Sequence, residues 1–246
     1  MRTVLAVVFV FTLVVQNDQL HRNRVSVSEI KQNSRGSPLF ASGRVTFQDD
    51  LSPNATTSQF GTDLWVKNVS AKEILAFKID FDLVSPYHAG GRIDYEQDYF
   101  FTPAALKPGS SIRLRQKPTT HEISPYRPGA PIKPSVEFHV VFVQFSDATS
   151  FGEISKVDSL KAERMSILDE MNSLLRACKT GQVPTVGENL ATAFQDASAE
   201  PEKSVLTIEL LRELQNTLKK RGLSSLERDI TNRLKDADAH GRALGE

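Results

Sequence analysis

The sequence has little of several features that usually reveal a function. One cysteine, Cys178, stands among 246 residues, so no internal disulfide can form and stability must come from a buried core. The 30 basic and 30 acidic side chains balance, which leaves no overall charge to favour nucleic acid or an anionic membrane surface. No G-x-S-x-G elbow is present, and the histidines show no metal-ligand spacing. We therefore predict that the chain is not an enzyme and has no cofactor or metal site.

One stretch does combine catalytic residue types: EFHVVFVQFSDATSFGEIS, residues 137–155. On a strand, His139 would share a face with Glu137. The opposite, core-directed face would consist of Val136, Phe138, Val140 and Phe142. The segment from Ser146 to Ser150 has the composition of a turn, in which Asp and Ser side chains bind nearby backbone groups. A hydrolase is therefore the least favoured alternative, and the stretch predicts a core strand followed by a polar turn.

Three carboxylates, Asp94, Glu96 and Asp98, stand two residues apart in RIDYEQDYF. Oxygen ligands at this spacing could bind Ca²⁺, but the following glycine and the distal glutamate of a calcium loop are absent. A solvated strand face is the better interpretation of these three residues.

The N-terminus predicts the compartment. Arg2 precedes the apolar run TVLAVVFVFTLVV, and polar QNDQ follows it. The run has the length of an export signal and falls short of the roughly 20 residues that span a bilayer as a helix. We expect a signal peptide or an uncleaved membrane anchor at 1–19, a linker at 20–39, and a periplasmic or extracellular protein. The single cysteine favours a bacterial envelope, because small eukaryotic secreted domains usually need disulfides.

Residues 40–153 have the periodicity of strands. In ILAFKIDFDL, residues 74–83, apolar side chains occupy every second position, which predicts a strand with one face in the core. FGTDLWVKNV precedes it, and the short connection NVSAKE predicts a hairpin. Further strands are predicted at 43–47, 95–101, 111–115, 120–123 and 136–145. Strands at this density without intervening helices predict an antiparallel, immunoglobulin-like β-sandwich.

After residue 153 the period changes to that of helices. Apolar residues at three- and four-residue steps predict one amphipathic helix over 155–179, with Arg164 as the exception in its apolar stripe. Leucine spacing predicts a further helix that ends at Gly222, followed by a last helix. We therefore expect an amphipathic helical C-terminal region at 154–246 that contains a helical hairpin and is frayed after about residue 238.

The candidate ligand-binding residues are aromatic: Trp65, Tyr87, Tyr95 and Tyr99. Trp65 falls on the polar face of its strand, with Asp63 and Lys67. Sandwich modules often bind sugars or peptides through aromatic side chains that stand beside polar groups. The preferred interpretation is nevertheless that the C-terminal helices or a second sheet cover Trp65, because the amphipathic helices must bury their leucines.

Three segments together carry a resemblance: WVKNVSAKEILAFKIDFDL, LKPGSSIRL and VEFHVVFVQFSDATSFGE. They resemble uncharacterised exported bacterial proteins with a small immunoglobulin-like, fibronectin type III-like β-sandwich domain, over roughly residues 58–153. Ala148 stands where that pattern commonly has glycine. The resemblance implies the sandwich fold and leaves the activity open, because this fold supports adhesion, scaffolding and carbohydrate binding alike.

These observations predict an exported envelope protein that acts as a non-catalytic binding or structural module. Its expected partner is a protein or a glycan of the cell envelope, with membrane contact only through the N-terminal segment and no nucleic acid. The alternative function is a carbohydrate-binding sandwich module that uses Trp65 and the tyrosines.

Overall fold

The computed structural model describes residues 22–33, 35–51, 56–86, 90–114, 119–123, 133–180, 183–199 and 205–244. The strands in these ranges are β1 (Arg22–Gln32), β2 (Leu39–Leu51), β3 (Thr56–Asn68), β4 (Ile74–Val84), β5 (Gly90–Asp98), β6 (Ser111–Leu114), β7 (Thr119–Ile123), β8 (Ser135–Phe145) and β9 (Ser150–Gly152). The helices are α1 (Ile154–Lys179), α2 (Val183–Ala199), α3 (Val205–Arg221) and α4 (Leu223–Leu244). The predicted order of a β region followed by an α region is confirmed. The expected linker at 20–39 instead contains β1, and the expected N-terminal signal or anchor lies outside the described residues.

The strands form one curled, mixed sheet in the order β5-β4-β8-β1-β2-β3-β6, and β7 and β9 pair with β3 and β8. Strand β1 joins the two halves of the sheet: it runs antiparallel to β2 over 22–29 and then parallel to β8 over 30–32. Inward-facing side chains of both halves share one core, which includes Val45, Phe47, Phe77 and Phe81. The sheet therefore wraps around its own apolar face as a half-barrel.

The predicted hairpin at NVSAKE is wrong. Strand β3 pairs with β2, β6 and β7, whereas β4 pairs with β5 and β8, so this connection crosses between the two halves of the sheet. Asn68 is fully buried at the start of the crossing. Its amide nitrogen donates to the carbonyls of Lys72 and Leu106, at 2.8 Å each, and its oxygen accepts from the Ser70 backbone N–H. Alternation in the sequence identifies both strands but not their partners.

Irregular pairing turns some apolar residues to the outer face of the sheet. The register between β4 and β8 shifts twice, as it does at β-bulges. Phe142 therefore packs with Ala76 against α1, and not in the sheet core with Val136 and Phe138 as strict alternation predicts. Leu75 likewise packs among the helices. The two register shifts therefore create an apolar surface on the outer face of the sheet, against which α1 packs.

The four helices form a bundle in which α1 and α3 each contact both α2 and α4. The helix predicted at 155–179 is confirmed. The expected helical hairpin is confirmed, because α3 and α4 pack against each other on either side of Gly222. The expected fraying after about residue 238 is wrong, because α4 continues to Leu244, and α2 adds a full helix to the region. Gly222 separates α3 from α4 with a φ of 80°, a left-handed conformation that favours glycine. None of the helices in the described ranges is long and apolar enough to cross a membrane.

Arg164 joins the helix bundle to the sheet. It lies in the apolar stripe of α1 and is only 1% exposed. Its Nε and Nη2 donate to the two carboxylate oxygens of Asp98 at 2.8 and 2.7 Å, and its Nη1 donates to Gln144 Oε1 at 2.7 Å. The centroid of the Phe100 ring lies 4.4 Å from the guanidinium carbon of Arg164. Each of the three guanidinium nitrogens therefore donates a hydrogen bond to a residue of β5 or β8.

The turn between β8 and β9 predicts a stabilising substitution. Ala148 has a φ of 68°, a conformation that among the described residues is otherwise found only at glycines. Because a Cβ is unfavourable there, we expect Ala148→Gly to raise the free energy of unfolding by about 0.5 to 1 kcal/mol. Urea denaturation measures this change. The control is Ala239→Gly at an exposed position of α4, which should lower the free energy by about 1 kcal/mol. A lower free energy of unfolding in Ala148→Gly would contradict the left-handed backbone conformation of Ala148.

Candidate functional site

Trp65 lies on the outer face of the sheet, within β3. Its neighbours Leu64 and Val66 are buried in the sheet core, because successive side chains of a strand point to opposite faces. Trp65 itself keeps 42% of its surface exposed. The interpretation that helices or a second sheet cover it is therefore wrong. The helices bury their leucines against one another and against residues near the end of β5, such as Phe100.

Polar side chains flank the indole ring on both neighbouring strands. The register places Ser42 of β2 on one side and Arg113 of β6 on the other. The guanidinium carbon of Arg113 lies 5.9 Å from the ring centroid, within the range of a cation–π contact. The same guanidinium binds Asp63 Oδ1 through Nε at 3.0 Å and Nη2 at 2.9 Å. Arg113 is thus held beside the ring, and the residue that stands opposite Trp65 on β2, Ser42, has only a short side chain.

Further exposed groups extend this surface. Phe40 stands opposite Lys67 in the register, and is therefore diagonal to Trp65, with 46% of its surface exposed. We name the surface the Trp65 face and define it by six residues: Phe40, Ser42, Asp63, Trp65, Lys67 and Arg113. It combines two aromatic rings with donors and acceptors on three adjacent strands.

Gly43 sets the spacing of β2 and β3 beside the Trp65 face. Its φ is 116°, and a Cβ at this position would lie 2.0 Å from the carbonyl oxygen of Asp63. Any larger residue would push the two strands apart next to the ring. The indole therefore stands on a backbone whose geometry allows little change.

The structure does not bring Tyr95 or Tyr99 to Trp65. Tyr95 lies on the inner face of β5, at the other end of the strand order, and stacks on Phe77 with ring centroids 6.0 Å apart. Tyr99 packs against both the sheet core and the helical core. Burial raises the pKa of both phenols, that of Tyr99 to about 12. Tyr87 lies outside the described residues.

The carboxylates of β5 are each held by a cation. Glu96 lies 3.0 Å from Lys78 Nζ, Asp98 is bound by the arginine of α1, and Asp94 lies 3.7 Å from Arg92 Nε. Within the part of the chain that the structure describes, no three His, Cys, Asp or Glu side chains are grouped so as to hold a metal ion. The three carboxylates are therefore ion-paired, and only Asp94 lies on a solvated face as predicted, because the side chain of Glu96 is half-buried and that of Asp98 is buried.

A second charged group surrounds Asp80 on the same outer face. In the register, Asp80 of β4 stands between Asp94 of β5 and His139 of β8. Its Oδ2 lies 2.7 Å from Arg92 Nη2, and His139 Nε2 lies 3.2 Å from Asp82 Oδ2. Burial and the hydrogen bond with Asp94 raise the pKa of Asp80 to about 6, against the opposing effect of Arg92. The Asp80 carboxyl thus retains its proton up to about pH 6.

The predicted turn after β8 is confirmed. Asp147 accepts hydrogen bonds from the backbone N–H and the hydroxyl of Thr149 and pairs with Lys72 at 2.8 Å. The bonds to Lys72 and Thr149 lower the pKa of Asp147 to about 2. Ser146 lies seven residues beyond His139, roughly 20 Å along the strand. The structure therefore separates the histidine of this stretch from the serine that follows β8.

Comparisons of the chain with models of protein families, with curated proteins and with solved structures found no match. The function must therefore be inferred from the geometry of the chain itself. Sequence reasoning selected Trp65 but missed Arg113, because only the strand register places that residue beside the ring. The alternation of side chains along the strand did place Asp63 on the same face as Trp65. This alternation was the only feature of the sequence that pointed to the surface.

The Asp80 group predicts a dependence of stability on pH. The pKa of Asp80 is raised from 3.8 to about 6 in the folded chain. As pH rises, the unfolded chain therefore loses this proton at a lower pH than the folded chain does. The free energy of unfolding should therefore fall as pH rises from about 4 to about 6.5, by about 1 to 2 kcal/mol from this group. Asp80→Asn should remove that part of the slope.

Urea denaturation at a series of pH values measures both proteins. Asp82→Asn on the same strand is the matched control and should keep the slope of the unchanged chain. If Asp80→Asn keeps the same slope, the proton is not held where the structure indicates.

Proposed function

We propose that the chain is a non-catalytic binding protein and that the Trp65 face is its binding surface. The observation that carries the proposal is the 42% exposure of Trp65 on a rigid strand. A large apolar side chain left in water forgoes the stabilisation that burial would provide, and a ligand that covers it regains this stabilisation. Because strands hold the ring and its polar neighbours in place, little ordering entropy opposes binding.

The ligand that best fits this surface is a glycan. The open side of an indole ring stacks on the C–H groups of a sugar, and the surrounding groups must then bind its hydroxyls. Arg113 and Lys67 offer donors, Asp63 offers acceptors, and Ser42 offers both. This is the carbohydrate-binding alternative raised by the sequence, with Trp65 retained and the tyrosines left out of the contact surface.

We infer that the curled sheet is a variant of the immunoglobulin-like sandwich. Two features support this inference: β1 pairs with a strand of each half, and the connection from β3 to β4 crosses between the halves. Kinship with exported bacterial proteins of this fold, and export through the segment at 1–19, are parts of the same proposal. A protein of the cell envelope would meet polysaccharides at that location.

Substitution of the ring tests the proposed function. On an array of envelope polysaccharides we expect the full chain to bind a subset of glycans. Trp65→Ala should weaken that binding at least about tenfold, measured by calorimetry with one bound glycan, while the urea midpoint changes little. The control is Val25→Ala, 66% exposed on the same side of β1 and roughly 20 Å from Trp65 along the sheet. Glycan binding that survives Trp65→Ala, or an array without any signal, would refute the proposal.

A further inference from the structure

A polar groove with a volume of about 490 Å³ lies between α3 and α4, on the helix bundle and not on the sheet. Four cationic side chains line it, from both helices: Lys220, Arg221, Arg228 and Arg233. The lining contains only two carboxylates, Glu213 and Asp229. The groove is therefore a local excess of positive charge in a chain whose total charge is zero.

One arginine uses both carboxylates. Arg233 Nη2 lies 2.8 Å from Glu213 Oε2, and Arg233 Nε lies 3.0 Å from Asp229 Oδ1. Arg233 is also mostly shielded, with 19% of its side chain exposed. Its role is thus to hold α3 and α4 together, and the lining as a whole still has two more cations than carboxylates.

The other three cations are left for a ligand. Lys220, Arg221 and Arg228 are exposed, and no carboxylate of the described residues lies within ion-pair distance of them. Lys220 and Arg221 stand in the last turn of α3, where the negative end of the helix dipole favours positive charge. Arg228 stands in the second turn of α4, where no such carbonyl end explains it. Three unpaired cations around one concavity repel one another unless an anion lies between them.

Hydrogen-bond donors complete the lining. Asn216 and Asn232 contribute side-chain amides, and Ser225 contributes a hydroxyl in the first turn of α4, a helix of 22 residues. Backbone N–H groups in the first turn of a helix have no acceptor within the helix and favour anions. The lining contains no large apolar side chain, so a hydrophobic ligand would gain little there.

We propose that the groove between α3 and α4 binds the phosphate group of an anionic ligand. A guanidinium can bind a phosphate with two parallel hydrogen bonds, one to each of two oxygens. The side chains of Asn216, Asn232 and Ser225 would donate to the remaining oxygens. The phosphate could belong to a soluble phosphorylated molecule or to a lipid head group, and the chemistry of recognition is the same. The inference is independent of the Trp65 face, because the two surfaces share no residue.

Calorimetry with inorganic pyrophosphate tests the groove on the full chain. The test variant carries Arg221→Gln and Arg228→Gln together, and the control carries Lys235→Gln and Arg242→Gln, two exposed cations of α4 outside the groove. We expect the test variant to bind at least about tenfold more weakly than the unchanged chain, and the control to bind as the unchanged chain does. The helical circular dichroism signal verifies that both variants are folded.

A second arm separates the two sources of phosphate. The same three proteins are mixed with vesicles of phosphatidylcholine alone or with about one third phosphatidylglycerol. Binding of the unchanged chain that requires phosphatidylglycerol and is lost in the test variant, without a pyrophosphate signal, assigns the groove to lipid head groups. Pyrophosphate binding that the test variant loses assigns it to soluble phosphates. No binding of either probe, or equal loss in the test and control variants, overturns the proposal.

Discussion

Arg164 carries a full charge into a position that water does not reach. Removing a guanidinium and a carboxylate from water costs several kcal/mol for each ion, and only close, well-directed contacts offset this cost. Here the two parallel bonds to Asp98 and the third to Gln144 engage every nitrogen of the guanidinium. The apolar contacts of Val157 and Leu160 with the sheet would tolerate sliding of α1, since such contacts are not directional. The ion pair therefore fixes where the bundle sits on the sheet.

The position of the bundle decides which surfaces stay free. Because α1 lies on the outer face of β4 and β8, and α3 reaches β5, the helices occupy the half of the sheet opposite to Trp65. The outer face of β1, β2 and β3 is left to water, at least by the described residues. The basic groove, in turn, is lined only by residues of α3 and α4. The position of the bundle thus leaves the Trp65 face uncovered.

The sequence predicted the parts of this structure that depend on local periodicity. Alternation gave most of the strands and the exposed side of Trp65, and the three- and four-residue steps gave α1 almost to the residue. Pairing was not predictable in this way. The crossing at Asn68 looks like a hairpin because turn composition is the same whether the strands pair or separate. The shift that turns Phe142 outward leaves no mark in a run where both faces are apolar.

Arg164 shows the same limit at the level of a single residue. Its place in an apolar stripe marked it as an exception, which is the signal a buried, paired charge leaves in a sequence. Nothing in the sequence could name its partners, because Asp98 lies 66 residues away and had seemed one of three equivalent carboxylates. The same applies to Arg113, which becomes part of the Trp65 face only through the register of β3 and β6. Long-range partners are set by the folded arrangement and not by spacing along the chain.

A double-mutant cycle on the buried pair tests the central claim most directly. Urea denaturation of Arg164→Met, Asp98→Leu and the double variant gives the coupling between the two side chains. Each single change strands a charge in the interior and should lower the free energy of unfolding by about 3 to 5 kcal/mol, whereas the double variant should recover most of that loss. Losses that simply add, or single changes below about 1 kcal/mol, would mean that the pair does not hold the bundle on the sheet.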